Sequence, residues 1–311
     1  MLALKKVVTN NSNIYRREVM LMGNKFEISV VGADPVWAGE RINSAIAEIN
    51  RVEKMLSTFG EDSAVNTINR HAGVKPVKVN AEIYKLIERS LQISELTHGS
   101  FDITYYTNDR AADNDDIAIV TYTTVNYKDV VLDAKATTVF LKEKGMRIGF
   151  AANSKGYAAD RAKYILQLEG VSNGVINASG DLTAWGLQPD GNPWRVGIAD
   201  PRDPSRILLW LPVDNAAVAT SGNYEQYFEI DGVRYSHNID PRTGIPVRGI
   251  KSVSIISPSA ELSDALATAV TVMGTAAGLH LIDQLPDVHG IIIDDKDCLL
   301  SSKNIATHAY N

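Results

Sequence analysis

The chain is 311 residues long, with a single cysteine and a net charge of −6 from 37 acidic and 31 basic side chains. A chain of this length buries a core that is stable without staples, and one cysteine forms no disulfide within it. Dispersed Lys and Arg on an acidic chain exclude a nucleic-acid surface, because phosphates demand a clustered basic face; an anionic nucleotide has to be held locally.

The first twenty residues carry no apolar stretch of about seven residues of the signal-peptide kind, and no later run approaches a membrane span. The sequence therefore reads as cytoplasmic as written, although a trimmed export signal would leave the same picture. Residues 1–15 read as an N-terminal arm and residues 16–311 as one domain. Between Arg16 and Val31 apolar and polar residues partly alternate around Gly23-Asn24, which predicts a hairpin. Trp37, Ile42, Ala45, Ile46, Ile49, Val52 and Leu56 then recur at helical spacing. Ser63 is a good N-cap for a short helical pattern at Val65, Ile68 and Asn69. A second amphipathic helix is predicted over residues 81–97, ended by His98-Gly99. An irregular acidic stretch at 108–118 precedes strands predicted at 119–125, 130–133 and 138–141, where β-branched residues dominate.

Residues 146–154 form a loop rich in small residues that runs into a helix ending near Gly170. Small side chains let a ligand approach the backbone, and a helix start offers unpaired N–H groups to an anion. A short strand from Val175 and a tight turn at Ser179-Gly180-Asp181 repeat the idea. Turns around a strand at 194–198 and a strand at 207–213 follow. The stretch 219–247 has the composition of a site: a hydroxyl-bearing turn at Thr220-Ser221-Gly222, a turn at Asp231-Gly232, and His237 ahead of Pro241-Arg242-Thr243-Gly244. A strand at 253–256, helices at 259–274 and 274–285 and a strand at 290–294 close the chain. Cys298 reads as a small apolar filler in an edge or buried strand.

Asp264 and Thr268 are four apart and share one helical face. Either they are oxygen ligands of a hard cation such as Mg2+, or Asp264 caps its helix and Thr268 bonds back to a carbonyl. His237 is either a general base for a hydroxyl or an ordinary surface or core histidine. Arg242 neutralises a phosphate or braces its turn, and Lys155 carries the same ambiguity. No Walker loop, dinucleotide-binding glycine fingerprint, Cys/His metal spacing or Gly-x-Ser-x-Gly elbow occurs, which excludes the corresponding enzyme classes.

Taken in order, Ser57-Thr58-Phe59 with Ser63 and Asn69, Phe101-Asp102-Ile103-Thr104, Lys155-Gly156-Tyr157 with Asp160, Asn177-Ala178-Ser179-Gly180-Asp181, Thr220-Ser221-Gly222-Asn223-Tyr224, His237 to Gly244, and Asp264 to Thr268 with Met273-Gly274 resemble the ApbE family of flavin transferases. The likeness spans roughly residues 15–295. It implies an α+β fold with two lobes, mostly antiparallel sheets, flanking helices and a central nucleotide-binding cleft. It also implies Mg2+-dependent transfer of FMN from FAD to a Ser or Thr hydroxyl of an acceptor protein, with release of AMP. The alternatives are an FAD pyrophosphatase giving FMN and AMP, and a non-catalytic FAD-binding protein. By the same resemblance Asp264, Thr268 and the main-chain carbonyl of Ser154 hold Mg2+, and His237 takes the proton of the incoming hydroxyl, with Asp264 as the other catalytic residue. FAD is expected against Phe59, Asp102, Lys155, Tyr157, Ser179, Gly180, Asp181, Thr220, Ser221, Gly222, His237, Arg242 and Thr243. The sequence departs from the family at Gly149-Phe150-Ala151-Ala152-Asn153-Ser154, where an acidic residue and two glycines are usual, and at Ser179, where a glycine is usual.

Overall fold

The computed structural model describes residues 13–58, 60, 63–106, 126–222, 227–230, 233–236, 238–303 and 305. The acidic stretch at 108–118, the strand expected at 119–125, the turn at 231–232 and most of the N-terminal arm lie outside the described residues.

Among the described residues, eight strands form one sheet whose spatial order follows the chain. They are β1 (Asn13–Leu21), β2 (Asn24–Gly32), β3 (Gly174–Ala178), β4 (Asp181–Trp185), β5 (Ala217–Gly222), β6 (Ile250–Ser257), β7 (His289–Asp294) and β8 (Leu299–Ser301). Every neighbouring pair is antiparallel, so the fold is α+β with a mostly antiparallel organisation. The first hairpin turns one residue earlier than the sequence implies. Leu21 pairs with Asn24, and Met22 and Gly23 take φ values of 52° and 69°. Two left-handed residues make the turn whose twist matches the strands, and this register keeps Phe26, Ile28 and Val30 together on the buried face.

Among the described residues six α-helices complete the frame: α1 (Pro35–Leu56), α2 (Ala64–Arg70), α3 (Ala81–Leu96), α4 (Ser154–Leu168), α5 (Ala260–Met273) and α6 (Thr275–Ile282). The caps match the local chemistry. Asp34 accepts from Val36 and Trp37 N–H ahead of Pro35, and Ser63 and Asn80 each accept from the third residue of the helix that follows. Alternation along the strands sends neighbours to opposite faces. Ile176, Ala217 and Ile292 join the core built with α1, α3, α4 and α5. Val175, Val218 and Ile291 pack on the other face against Trp194, Ile198, Leu209 and Leu211 of the hairpin formed by Trp194–Asp200 and Asp203–Val213.

Three sequence expectations are corrected here. Asp181, read as part of a turn, opens a strand that runs to Trp185 through residues assigned to no element from sequence: Ala184 fills one core and Trp185 the other. Thr220-Ser221-Gly222 is the end of β5 rather than a turn, held by pairing with Ser254, Val253 and Ser252. Cys298 is exposed between β7 and β8, where its N–H donates to Asp294 Oδ1 at 2.8 Å, so it fills no core.

Candidate functional site

The sheet register gathers segments that are far apart in sequence. Phe26 lies opposite Ala178, which brings Asn24 beside the turn between β3 and β4. Val218 lies opposite Leu182, so β5 carries Thr220, Ser221 and Gly222 past the same sheet end. Two helices cover this corner. Their approach is closest at Gly156, where an added Cβ would meet Ala260 O at 2.3 Å and Glu261 N at 2.8 Å, so only glycine lets α4 cross α5 here.

The result is a cleft of about 500 Å³. Of the residues singled out in the sequence, Lys155, Ser179, Asp181, Thr220, Ser221, Gly222, Asp264 and Thr268 line it. Asn24, Ala151, Ala152, Asn238 and Ile239 line it too, and the sequence had not marked these as site residues. Asn24 follows a recognisable hairpin turn, but nothing local tells that this turn abuts residue 179. Ser179 holds a left-handed φ of 55°, and the Asn177 Oδ1 accepts from Gly180 N at 2.9 Å to close the turn. Thr220 and Ser254 hydroxyls are 2.8 Å apart across the strand pair, and Asn238 Nδ2 donates to Ser221 Oγ at 3.1 Å.

The charge of the cleft is concentrated in Lys155, Asp181 and Asp264. The two carboxyls are 3% and 7% exposed and close enough for each to perturb the other. Burial pushes Asp264 well above the usual carboxylate range, and the neighbouring Asp181 adds to it. Burial likewise raises Asp181, opposed by Lys155. The Lys155 ammonium is bonded to Asp181 and lies 3.9 Å from Asp264 Oδ2. Burial works against that ammonium, but the charges of Asp264 and Asp181 outweigh it and raise its pKa. Asp264 Oδ2 also receives the Gly156 N–H at 3.5 Å. Asp264 therefore does not cap its own helix; that role falls to Ser259, which accepts from Leu262 N.

Other expected site residues lie elsewhere. The Tyr157 hydroxyl donates to Glu82 at 2.6 Å, and the ring is buried away from the cleft. Asp102 and Arg242 line a separate cavity of about 380 Å³ with His98, Tyr127 and Lys128. Asp102 accepts from Thr104 N–H and Oγ1 and from Tyr127 N–H at 2.7–3.0 Å. Burial nonetheless pushes its pKa up to about 6. Arg242 braces its turn, with Nε and Nη2 on the two oxygens of Asp240 at 2.9 and 2.8 Å. Thr243 Oγ1 accepts from Ile245 N at 3.3 Å in the same turn. Gly180 lies in the β3–β4 turn without lining the cleft. Ser154 is the first residue of α4, with its N–H on Phe150 O at 2.7 Å; its carbonyl faces along the helix, and the loop residues that line the cleft are Ala151 and Ala152. Phe59 and His237 lie outside the described residues.

Among the described residues no group of three or more His, Cys, Asp and Glu could hold a metal ion. What the cleft offers is oxygen: two buried carboxyls, the Thr268 hydroxyl and the backbone at Ala151 and Ala152. That donor set fits a hard cation that keeps part of its water and shares phosphate oxygens, and it does not fit a metal caged by protein alone. No described helix is long and apolar enough to cross a membrane.

Comparison with known proteins agrees with this arrangement. The profile of the ApbE family matches residues 22–292. A protein of Treponema pallidum named FAD:protein FMN transferase is 32% identical over 307 residues, covering 90% of this chain and 84% of its own length. One of the same name from Klebsiella pneumoniae is 30% identical over 268 residues, covering 81% and 77%. The crystal structure of the ApbE protein of Thermotoga maritima superposes with a TM-score of 0.81 at 31% identity, over 94% of this chain and 97% of that one. Since the matched span takes in most of the sheet, both covering helices and the whole charged cleft, the chain belongs to the ApbE family.

Proposed function

We propose that the protein transfers FMN from FAD to a Ser or Thr hydroxyl of an acceptor protein, with AMP as leaving group and Mg2+ required. The observation that carries this reading is the buried Asp181–Asp264 pair with Lys155 at the mouth of one cleft, in a chain whose relatives bear the name FAD:protein FMN transferase. Phosphoryl transfer asks mainly for positioning and charge neutralisation. Asp264, Thr268 and a main-chain carbonyl would hold Mg2+, which neutralises the pyrophosphate as negative charge develops. The cleft lining favours Ala151 or Ala152 as the source of that carbonyl in place of Ser154.

Lys155 sits where a second positive charge can meet the phosphates, and Asp181 fixes its ammonium. The ends of β5 and the β3–β4 turn supply small, polar walls that let a flat, charged ligand approach the backbone. His237 adjoins Asn238, which lines the cleft, and would take the proton of the attacking hydroxyl there.

The test is incubation of the protein with FAD, Mg2+ and a candidate acceptor, followed by mass spectrometry of the acceptor. An FMN adduct joined to a Ser or Thr is the expected result. FMN and AMP in solution with no adduct would replace transfer by hydrolysis, and retained FAD with no AMP would make the protein a carrier.

A further inference from the structure

Asp160 belongs to none of the groups that line the cleft, yet its side chain ties α4 to the first turn of α5. It lies on α4, five residues beyond Lys155, and is half-buried, lining a separate cavity with Arg89, Lys163 and Glu261. Its Oδ1 accepts from Ala260 N at 3.0 Å and its Oδ2 from Glu261 N at 2.9 Å. Those N–H groups open α5 and have no partner within the helix, so α5 is capped from a different helix as well as by its own Ser259. A carboxylate also suits the positive end of the helix dipole.

The cap is placed where it can steer the site. Ala260 is one turn before Asp264 and therefore on the same face of α5. Between the cap and Asp264 the helices touch at Gly156, which leaves no room for a Cβ against Ala260 and whose N–H reaches Asp264 Oδ2. A cap at Asp160 and a contact at Gly156 fix α5 against α4 at two points. The spacing of Lys155 from Asp264 and Thr268 follows from them.

The charged groups around Asp160 are Lys163, Glu261 and Arg89. Lys163 comes from its own helix, Glu261 from α5, and Arg89 from α3 is already engaged with Glu261 by bonds of 2.8–3.1 Å. Burial pushes the Asp160 pKa up to about 6 against the two backbone bonds. A carboxylate kept at that cost, away from the cleft, is explained by the pair of N–H donors it holds at fixed separation.

We propose that Asp160 is a positioning residue for the cation: by clamping the first turn of α5 to α4 it holds Asp264 and Thr268 at the spacing that gives Mg2+ its affinity. This rests on the reading of the cleft as a Mg2+ site. A group one step removed from metal ligands typically changes affinity by about 10- to 100-fold when it is removed. Asp160→Asn keeps the size of the side chain but turns one acceptor into a donor facing a backbone N–H.

The experiment is Mg2+ titration by calorimetry on the full chain without flavin, with thermal unfolding measured on the same samples. The wild type should bind, Asp264→Ala should not, and Asp160→Asn should bind about tenfold more weakly or worse. Its melting temperature without metal should change little, since the variant also removes a buried charge. Asp160→Ala, which removes both acceptors without placing a donor against the backbone N–H groups, should weaken Mg2+ in the same direction and keeps the test open if Asp160→Asn fails to fold. Wild-type affinity in a folded Asp160→Asn overturns the proposal, as does a lower melting temperature with unchanged affinity. If the wild type itself binds no Mg2+, both this proposal and the cation reading of the cleft fall; if only Asp160→Asn is normal, that reading stands.

Discussion

Asp264 is a carboxyl forced out of its ordinary range by burial and by Asp181, and Lys155 partly compensates it. A cation entering the cleft would reverse that balance by favouring both ionised carboxylates. Asp264→Ala should therefore lower FMN transfer by roughly a hundredfold or more, and the loss should persist at high Mg2+; unchanged transfer at limiting Mg2+ would remove Asp264 from the mechanism. His237→Ala should slow transfer by about a hundredfold or more while FAD affinity, read by fluorescence titration, stays nearly constant. Lost affinity would instead make His237 a binding residue. Arg242 teaches a different lesson. Sequence alone left it between phosphate ligand and turn brace; in the structure its guanidinium is paired with Asp240.

At the scale of elements, the turn between β3 and β4 and the crossing of α4 and α5 build the cleft. Ser179 occupies a left-handed backbone position that disfavours a side chain. Ser179→Gly should raise stability by about 0.5 kcal/mol in urea unfolding, the relief of strain exceeding the entropy glycine adds to the unfolded chain. A decrease would mean that the Ser179 side chain makes a bond worth more than the strain. The helices α1 and α3 were legible as periodic apolar stripes, and α2 from its cap at Ser63. The strand β4 was not, because five residues, Asp181-Leu182-Thr183-Ala184-Trp185, read equally well as the exit of a turn until β3 and β5 pair with them.

Across the whole molecule, burial raises several carboxyls together. Asp102 and Asp160 are each pushed up to about 6, and Glu261 is raised in the same direction. A raised carboxyl pKa means that the folded state holds its proton more tightly than the unfolded chain. Its contribution to stability is present at acid pH and is lost as pH rises from the ordinary carboxylate range through the folded value. Groups held low act elsewhere: Asp200, brought to about 2 by Arg202, and Glu48, held low by Arg51, cost stability only at more acid pH. The metal-free protein should accordingly melt several degrees higher at pH 5 than at pH 7.5, by scanning calorimetry. A higher melting point at pH 7.5 without metal would contradict the assigned burial of these carboxyls.

By itself the sequence determined the helices, the first hairpin and the set of chemistry-bearing residues, because periodicity, caps and turn residues act over a few positions. Lys155, Asp181, Thr220, Asp264 and Thr268 could be named as candidates from their neighbours in the chain. Their grouping is a tertiary fact. The register of β2 on β3 and of β4 on β5, and a glycine that lets α4 touch α5, bring residues 24, 155, 181, 220 and 264 to one corner. The same packing sent Tyr157 to Glu82, since a side chain's direction is set by the partner across the core, which no local spacing encodes.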